Sequence, residues 1–214
     1  MNFVVGLVHK WYGEEMPRRL FAAWLGDARQ PALDDLAWLA LENAAYEKEL
    51  PGRPALEEMR RVKAMGLYGI KLHPDYQEFF IGDEAALPIY EEAEKLGLPI
   101  AFHTGRDPLS PNLVHCPPDV LGKIADLFPR LTIIAAHMGG MDMPQEAAKH
   151  LAGKKNVYFD TAFASHFLNA QELSELIHLH GVDKVLFATD CPWSTVPAEK
   201  TLLEAADLTP AQRE

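Results

Sequence analysis

The sequence predicts an α/β fold, a parallel barrel-like sheet wound by helices, and three stretches predict it. Pro99-Ile100-Ala101-Phe102-His103-Thr104-Gly105 is a short apolar run that follows Gly97 and stops at a histidine. The pattern returns at residues 132–140, where the run ends in Ala136-His137-Met138-Gly139-Gly140. It comes a third time at residues 184–190, with Asp190 in place of the histidine. Buried strands that each deliver one polar side chain at the carboxyl end, with helices between them, describe an α/β barrel site.

Taken in order, residues 3–9 read as a buried strand and residues 14–50 as helical. Leu20, Ala23 and Trp24 form one apolar stripe there, and Leu36, Leu39 and Ala40 form another. Asp34 suits the N-cap of the second helix, which Pro51-Gly52 stops. Pro54 opens a helix over 55–65, with Gly66 past its end. Residues 67–73 form a strand that carries Lys71 and ends before Pro74, and residues 75–83 are expected to be an aromatic loop. A helix starts near Pro88 and ends at Gly97. After Gly105 a loop holds Arg106, Asp107, His115 and Cys116, and Pro118 opens a helix to residue 128. A strand at 132–136, a shorter helix at 142–152 and a strand at 157–160 follow. Asn169 and Glu172 have capping-box spacing and start a helix that ends at Gly181. The last strand covers 185–188, and Thr209-Pro210-Ala211-Gln212 begins another helix.

Strands alternating with helices imply a parallel sheet with right-handed crossovers. The strand signals at 3–9, 67–73, 99–105, 132–136, 157–160 and 185–188 fall short of the eight of a closed barrel. An incomplete barrel is therefore expected, as a single domain over 1–214 with 1–52 atypical and a C-terminal helix missing. Unpaired edges of such a sheet would bind other chains, so a homo-oligomer is expected.

A formal charge of -11 argues against nucleic acid or an anionic membrane as partner without identifying one, and the partner expected is a small-molecule substrate such as a carboxylate. Cys116 and Cys191 lie far apart with no CxxC spacing, which suggests neither a disulfide framework nor a zinc knuckle. The first residues lack the pattern of a signal peptide, and no apolar run approaches the ~20 residues that span a bilayer. A cytoplasmic protein is expected.

His103 and His137 end successive strands, so their side chains can converge, and Asp190 approaches from the other side. Two imidazoles and a carboxylate suit a divalent ion such as zinc, and Asp190 also suits a proton-transfer role. Lys71 in an apolar strand is unusual, because lysine is almost never buried unpaired. Side chains alternate along a strand, so Lys71 and His73 share a face. Arg106 is placed to clamp a substrate carboxylate, and His73, His115 and Trp193 lie near the same edge. Asp160 and Thr161 read as structural, and His150, His166, His178 and His180 as surface or loop histidines.

These residues resemble a known family. Gly69-Ile70-Lys71-Leu72-His73-Pro74, Phe102-His103-Thr104-Gly105, Ala136-His137-Met138-Gly139-Gly140, Val157-Tyr158-Phe159-Asp160-Thr161 and Ala188-Thr189-Asp190-Cys191-Pro192-Trp193 look like the amidohydrolase superfamily, in its branch of metal-dependent hydrolases and decarboxylases. The resemblance covers roughly residues 53–214. It implies a distorted TIM barrel in which His103 and Asp190 bind metal and His137 binds metal or polarises the substrate. The metal it implies is zinc, with manganese the alternative. The family's N-terminal His-x-His pair has no counterpart in the N-terminal region of this sequence. The implied activity is hydrolysis of an amide or lactone carbonyl by activated water, with His137 and Asp190 catalytic; the reading of the residues themselves adds Lys71 as catalytic and Arg106, His73 and Trp193 as substrate-binding. The alternatives are non-oxidative decarboxylation of a small carboxylic acid, or a catalytically silent remnant.

Overall fold

The computed structural model describes residues 55–108, 110 and 112–213. The strand read at 3–9 and the helices read at 14–50 lie outside them. Residues 55–214 form one compact unit built on a five-stranded parallel sheet whose strands lie in sequence order. The strands are β1 (Ile70–Leu72), β2 (Ile100–Phe102), β3 (Ile133–Ala135), β4 (Val157–Asp160) and β5 (Val185–Leu186). The helices are α1 (Ala55–Ala64), α2 (Pro74–Gln77), α3 (Leu87–Leu96), α4 (Pro118–Leu127), α5 (Pro144–His150), α6 (Ala170–His180) and α7 (Val196–Ala205).

Prolines and glycines punctuate these elements as the sequence requires. Pro88, Pro118 and Pro144 stand in the first turns of α3, α4 and α5, where a missing N–H costs nothing. Gly97 ends α3 at φ 60°, where its N–H reaches the last carbonyls. Asn169 and Glu172 form the expected reciprocal capping box on α6. Two elements depart from expectation. The segment after β1 begins with the single helical turn α2, since Pro74 is already set for a first turn. Helix α7, not read from the sequence, follows β5, and Thr195 caps it by accepting from the Ala198 amide at 3.3 Å.

Register and the two-residue period of the strands divide the sheet into two faces. Leu72, Ile100, Phe102, Ile133, Ala135, Val157 and Phe159 are buried and belong to the main apolar core with Tyr90, Leu121, Leu131, Leu151, Leu173 and Ile177. Tyr90 meets Phe102 and Phe128 edge-on and donates its hydroxyl to the Ile81 carbonyl at 2.9 Å. Asn156 closes the end of α4 by donating its side-chain amide to the carbonyls of Ala125, Phe128 and Leu131. The alternate positions Lys71, Ala101, Ile134, Tyr158 and Asp160 form the other face, and they are only half-buried. That face carries Lys71 and Asp160, the basic and the acidic residue of the strands.

Candidate active site

His73 and His103 extend β1 and β2 on this second face. The register Leu72↔Phe102, continued by the bond from the His103 amide to the Leu72 carbonyl, sets them side by side. Their rings stack with centroids 4.1 Å apart, and Tyr76 stacks on the far side of His73 at 3.7 Å. Beyond His103 the chain turns at Gly105, φ 92°. A Cβ at Gly105 would stand 2.3 Å from the Met141 nitrogen, so only glycine permits this approach. The Arg106 amide then bonds the Met141 carbonyl at 3.0 Å, which pins the loop and carries Asp107 back over the strand ends.

Asp107 is the residue the sequence reading left out of the site. Its Oδ2 lies 3.5 Å from His73 Nε2 and 3.7 Å from His103 Nε2, and all three residues are buried. One ligand atom from each of these three residues falls within 4.8 Å of the others. For tetrahedral bonds of ~2.0–2.1 Å the ligand–ligand edge is about 3.3 Å, so separations of 3.5 and 3.7 Å need little adjustment. His73 Nδ1 is buried without a hydrogen-bond partner among the described residues, as is Asp75 Oδ2. The donor set and its spacing fit a divalent metal ion.

His137 follows β3 in an unusual backbone. His137, Met138 and Gly139 have φ of 59°, 52° and 81°, three successive left-handed residues. Two non-glycine residues there store strain, and the surroundings must hold them. Asp160 does so: its carbonyl accepts from the Met138 amide at 2.7 Å and its Oδ1 from the His137 amide at 2.9 Å. Gly139 is required by space, since a Cβ would meet Phe159 at 2.5 Å.

Hydrogen-bond partners fix the imidazole tautomers. His137 Nδ1 lies 2.9 Å from the Ala162 carbonyl, which can only accept, so Nδ1–H donates. His137 Nε2 is then the acceptor facing His103 Nδ1 at 3.0 Å. His103 therefore carries its proton on Nδ1 and presents Nε2 as a lone pair toward Asp107. The opposite order would satisfy the Arg106 carbonyl, 3.3 Å from His103 Nε2, at the expense of the shorter Ala162 bond. The shorter bond decides the order.

Burial governs the charge states. It holds His73 down at about 3 and His137 at about 4, and keeps His103 well below 6.5, so the imidazoles stand neutral at neutral pH. Neutral imidazole is the state that ligates metal. Burial raises Asp160 and Asp190, against the opposing pull of Lys71 on both and of His137 on Asp190. It lowers Lys71, while the charges of Asp160 and Asp190 work the other way. Asp160 and Asp190 are thus carboxyl groups within electrostatic reach of Lys71 on this face.

The structure thus brings His73, His103 and His137 together and places Lys71 and Asp190 within their electrostatic reach. Both ring nitrogens of His137 engage in hydrogen bonds in this arrangement. Arg106 and Trp193 are exposed, with 55% of Trp193 open to solvent. His115 is buried and bonds Asp75 at 2.8 Å, with Phe80 stacked on its ring. Thr161 ties β4 to the segment after β5, donating to the Ala188 carbonyl at 2.8 Å and accepting from its amide at 2.9 Å. The signal for Asp107 was its place four residues beyond His103, yet a loop's return path cannot be read from spacing.

A metal-capable cluster at the carboxyl ends of parallel strands defines a class of α/β-barrel hydrolase-type sites. The chain belongs to the amidohydrolase family of enzymes: the family model described as Amidohydrolase matches residues 37–214, starting earlier than the quoted motifs do. Among solved structures it resembles a 2,6-dihydroxybenzoate decarboxylase complexed with 2,6-dihydroxybenzoate, at 20% identity and TM-score 0.55 over 74% of this chain and 62% of that one. A dihydroxybenzoic acid decarboxylase from Polaromonas sp. JS666, with bound manganese and the inhibitor 2-nitroresorcinol, matches at 19% identity and TM-score 0.53, over 74% of this chain and 61% of that one. An uncharacterised TIM-barrel protein from Bordetella bronchiseptica matches at 19% identity and TM-score 0.61, over 81% of this chain and 66% of that one. These likenesses show the fold, and this chain spans about 62% of the length of the first decarboxylase.

Proposed function

We propose that this site serves non-oxidative decarboxylation of a small carboxylic acid bearing a neighbouring hydroxyl or carbonyl oxygen. One observation carries the reading: Lys71 stands on the same sheet face as the metal-capable cluster, two residues from His73, where its amine can meet a carboxylate substrate. The decarboxylases among the structural neighbours support it, as do the dihydroxybenzoate and nitroresorcinol bound to two of them.

His103 is the metal ligand common to the geometric cluster and the family resemblance. His73 and Asp107 would complete the set, with Asp190 the further ligand that the resemblance implies; His137, which the resemblance offers as ligand or polariser, here has both ring nitrogens engaged and would act by holding His103. A divalent cation, zinc or manganese, would supply Lewis-acid charge that orients the carboxylate and draws electron density from its oxygen neighbours. Lys71 would clamp the substrate carboxylate, and Arg106 and Trp193 would close over it from the exposed rim. The bond between the carboxylate carbon and its parent carbon breaks, CO₂ leaves, and the electron pair stays on the parent carbon. Asp190, held toward its protonated form by burial, donates the proton to that carbon and recovers one from water. Tyr76, half-buried against His73, gives the face an aromatic wall.

Hydrolysis of an amide or lactone is the second reading, favoured by the family's own description. There Asp190 would take a proton from water and His137 would polarise the carbonyl. The chain loaded with zinc or manganese and given hydroxybenzoates is expected to release CO₂. In D₂O, one deuterium should appear on the vacated carbon. Replacing Lys71 by Met should raise KM tenfold or more for the carboxylate. Lactone or amide opening without CO₂ release would replace this reading with the hydrolytic one.

A further inference from the structure

We propose that Asp160 is a positioning residue: its Oδ1 holds the Ala162 and His137 amides so that the Ala162 carbonyl fixes the His137 tautomer, and through it aims the lone pair of His103 Nε2 at the metal position. The inference rests on the reading that this face holds a metal ion.

The geometry forms a closed circuit. Asp160 Oδ1 accepts from the His137 amide at 2.9 Å and the Ala162 amide at 3.1 Å. One oxygen therefore fixes both the backbone that carries the imidazole and the backbone whose carbonyl receives its Nδ1–H at 2.9 Å. The donor and acceptor of that bond cannot drift apart while the carboxylate spans them. With Nδ1–H committed, His137 Nε2 accepts from His103 Nδ1 at 3.0 Å, and His103 Nε2 remains unprotonated. A ligating histidine needs its ligating nitrogen free and its other N–H held. Here the holder is a second histidine, and Asp160 holds the holder.

Without this circuit the turn has reason to relax. His137 and Met138 both sit at left-handed φ, which side-chain-bearing residues rarely adopt. The Met138 amide bond to the Asp160 carbonyl, 2.7 Å, would survive a side-chain substitution, so the turn keeps one anchor. The bonds lost are those that set the imidazole. Asparagine at 160 keeps an amide oxygen in the place of Oδ1 and can accept both N–H groups, whereas alanine keeps neither bond.

The test compares Asp160→Ala and Asp160→Asn in the full chain by three measurements. These are ¹⁵N spectra of the imidazoles, zinc binding by calorimetry, and thermal unfolding as a check of folding. In the parent and in Asp160→Asn, the His137 Nδ1–H resonance should be present and zinc affinity should agree within about threefold. Asp160→Ala should lose that resonance and bind zinc roughly 10–100-fold more weakly, the range for removing a support of a metal ligand. Where CO₂ release is measurable, the loss should fall on kcat rather than on KM. A protonated, unchanged His137 Nδ1 in Asp160→Ala would overturn the inference. So would equal losses in the two variants, because charge rather than acceptor geometry would then be at work. The spectra need neither metal nor turnover, so a failure of the decarboxylase reading leaves this result separate.

Discussion

His180 shows what burial does to an imidazole that takes no part in the site. It stacks on Phe159 at 3.7 Å and its Nδ1 accepts from the Gly153 amide at 3.2 Å. Burial lowers it from 6.5 to about 4. A depressed histidine is stabilising above its unfolded value, and the contribution fades as pH falls, because the unfolded chain takes up the proton first. The window runs from 6.5 down to about 4, and across it the loss amounts to about 3 kcal/mol. Denaturant titrations at several pH values should show His180→Asn losing stability less steeply there, by up to about 1.4 kcal/mol per pH unit. Equal slopes would remove His180 from the acid response. The sequence reading put His178 and His180 together at the surface. Helical spacing sets them on opposite faces, and the structure exposes His178 and buries His180. Periodicity separated the two residues, but it did not say which one turned inward.

At the scale of elements, caps and stops were legible because their physics is local. Asn169 accepts from the amides of Gln171 and Glu172 at 2.9 and 3.0 Å, and Glu172 returns a bond to the Asn169 amide at 2.9 Å. Asn169→Ala should destabilise the chain by about 1 kcal/mol, and Asn169→Ser by much less. A urea midpoint that moves equally for both would mean the cap is not the cause. Helix α7 carried comparable signals in Thr195 and Pro197 and was still missed. Its Glu199 is buried and gathers Ser194 Oγ at 2.5 Å, Ser165 Oγ at 2.7 Å and the Ser165 amide at 3.0 Å, joining the segments after β4 and β5. A carboxylate used for a long-range clamp gives no pattern that neighbouring residues reveal.

At the scale of the whole molecule, the metal-capable cluster links the loop after β2 to the end of β1. A ligand that binds only the folded chain stabilises it in proportion to the logarithm of its saturation. Zinc or manganese at a hundredfold excess over its dissociation constant should add about 2.7 kcal/mol, which for a chain of this size raises the melting temperature by roughly 5–10 °C. His103→Ala and Asp107→Asn should each remove most of the rise. An unchanged melting temperature in the parent would exclude a folded-state metal site. The strand ends at His103 and His137 were readable from the sequence, because strand direction alone places them. Asp107 was not, because Gly105 and Met141 bring it back through contacts between residues far apart in sequence.

The two faces of the sheet have a consequence for how such a protein can change over time. Leu72, Phe102, Ala135 and Phe159 lock into the helices, while Lys71, His103 and Asp160 stand at the positions between them. Inheritance can therefore edit one set of positions while leaving the other alone. A substitution at Lys71 falls outside the apolar interior that keeps the chain folded, and one at Phe102 falls within it. A lineage built this way can try new chemistries one residue at a time from an unchanged frame.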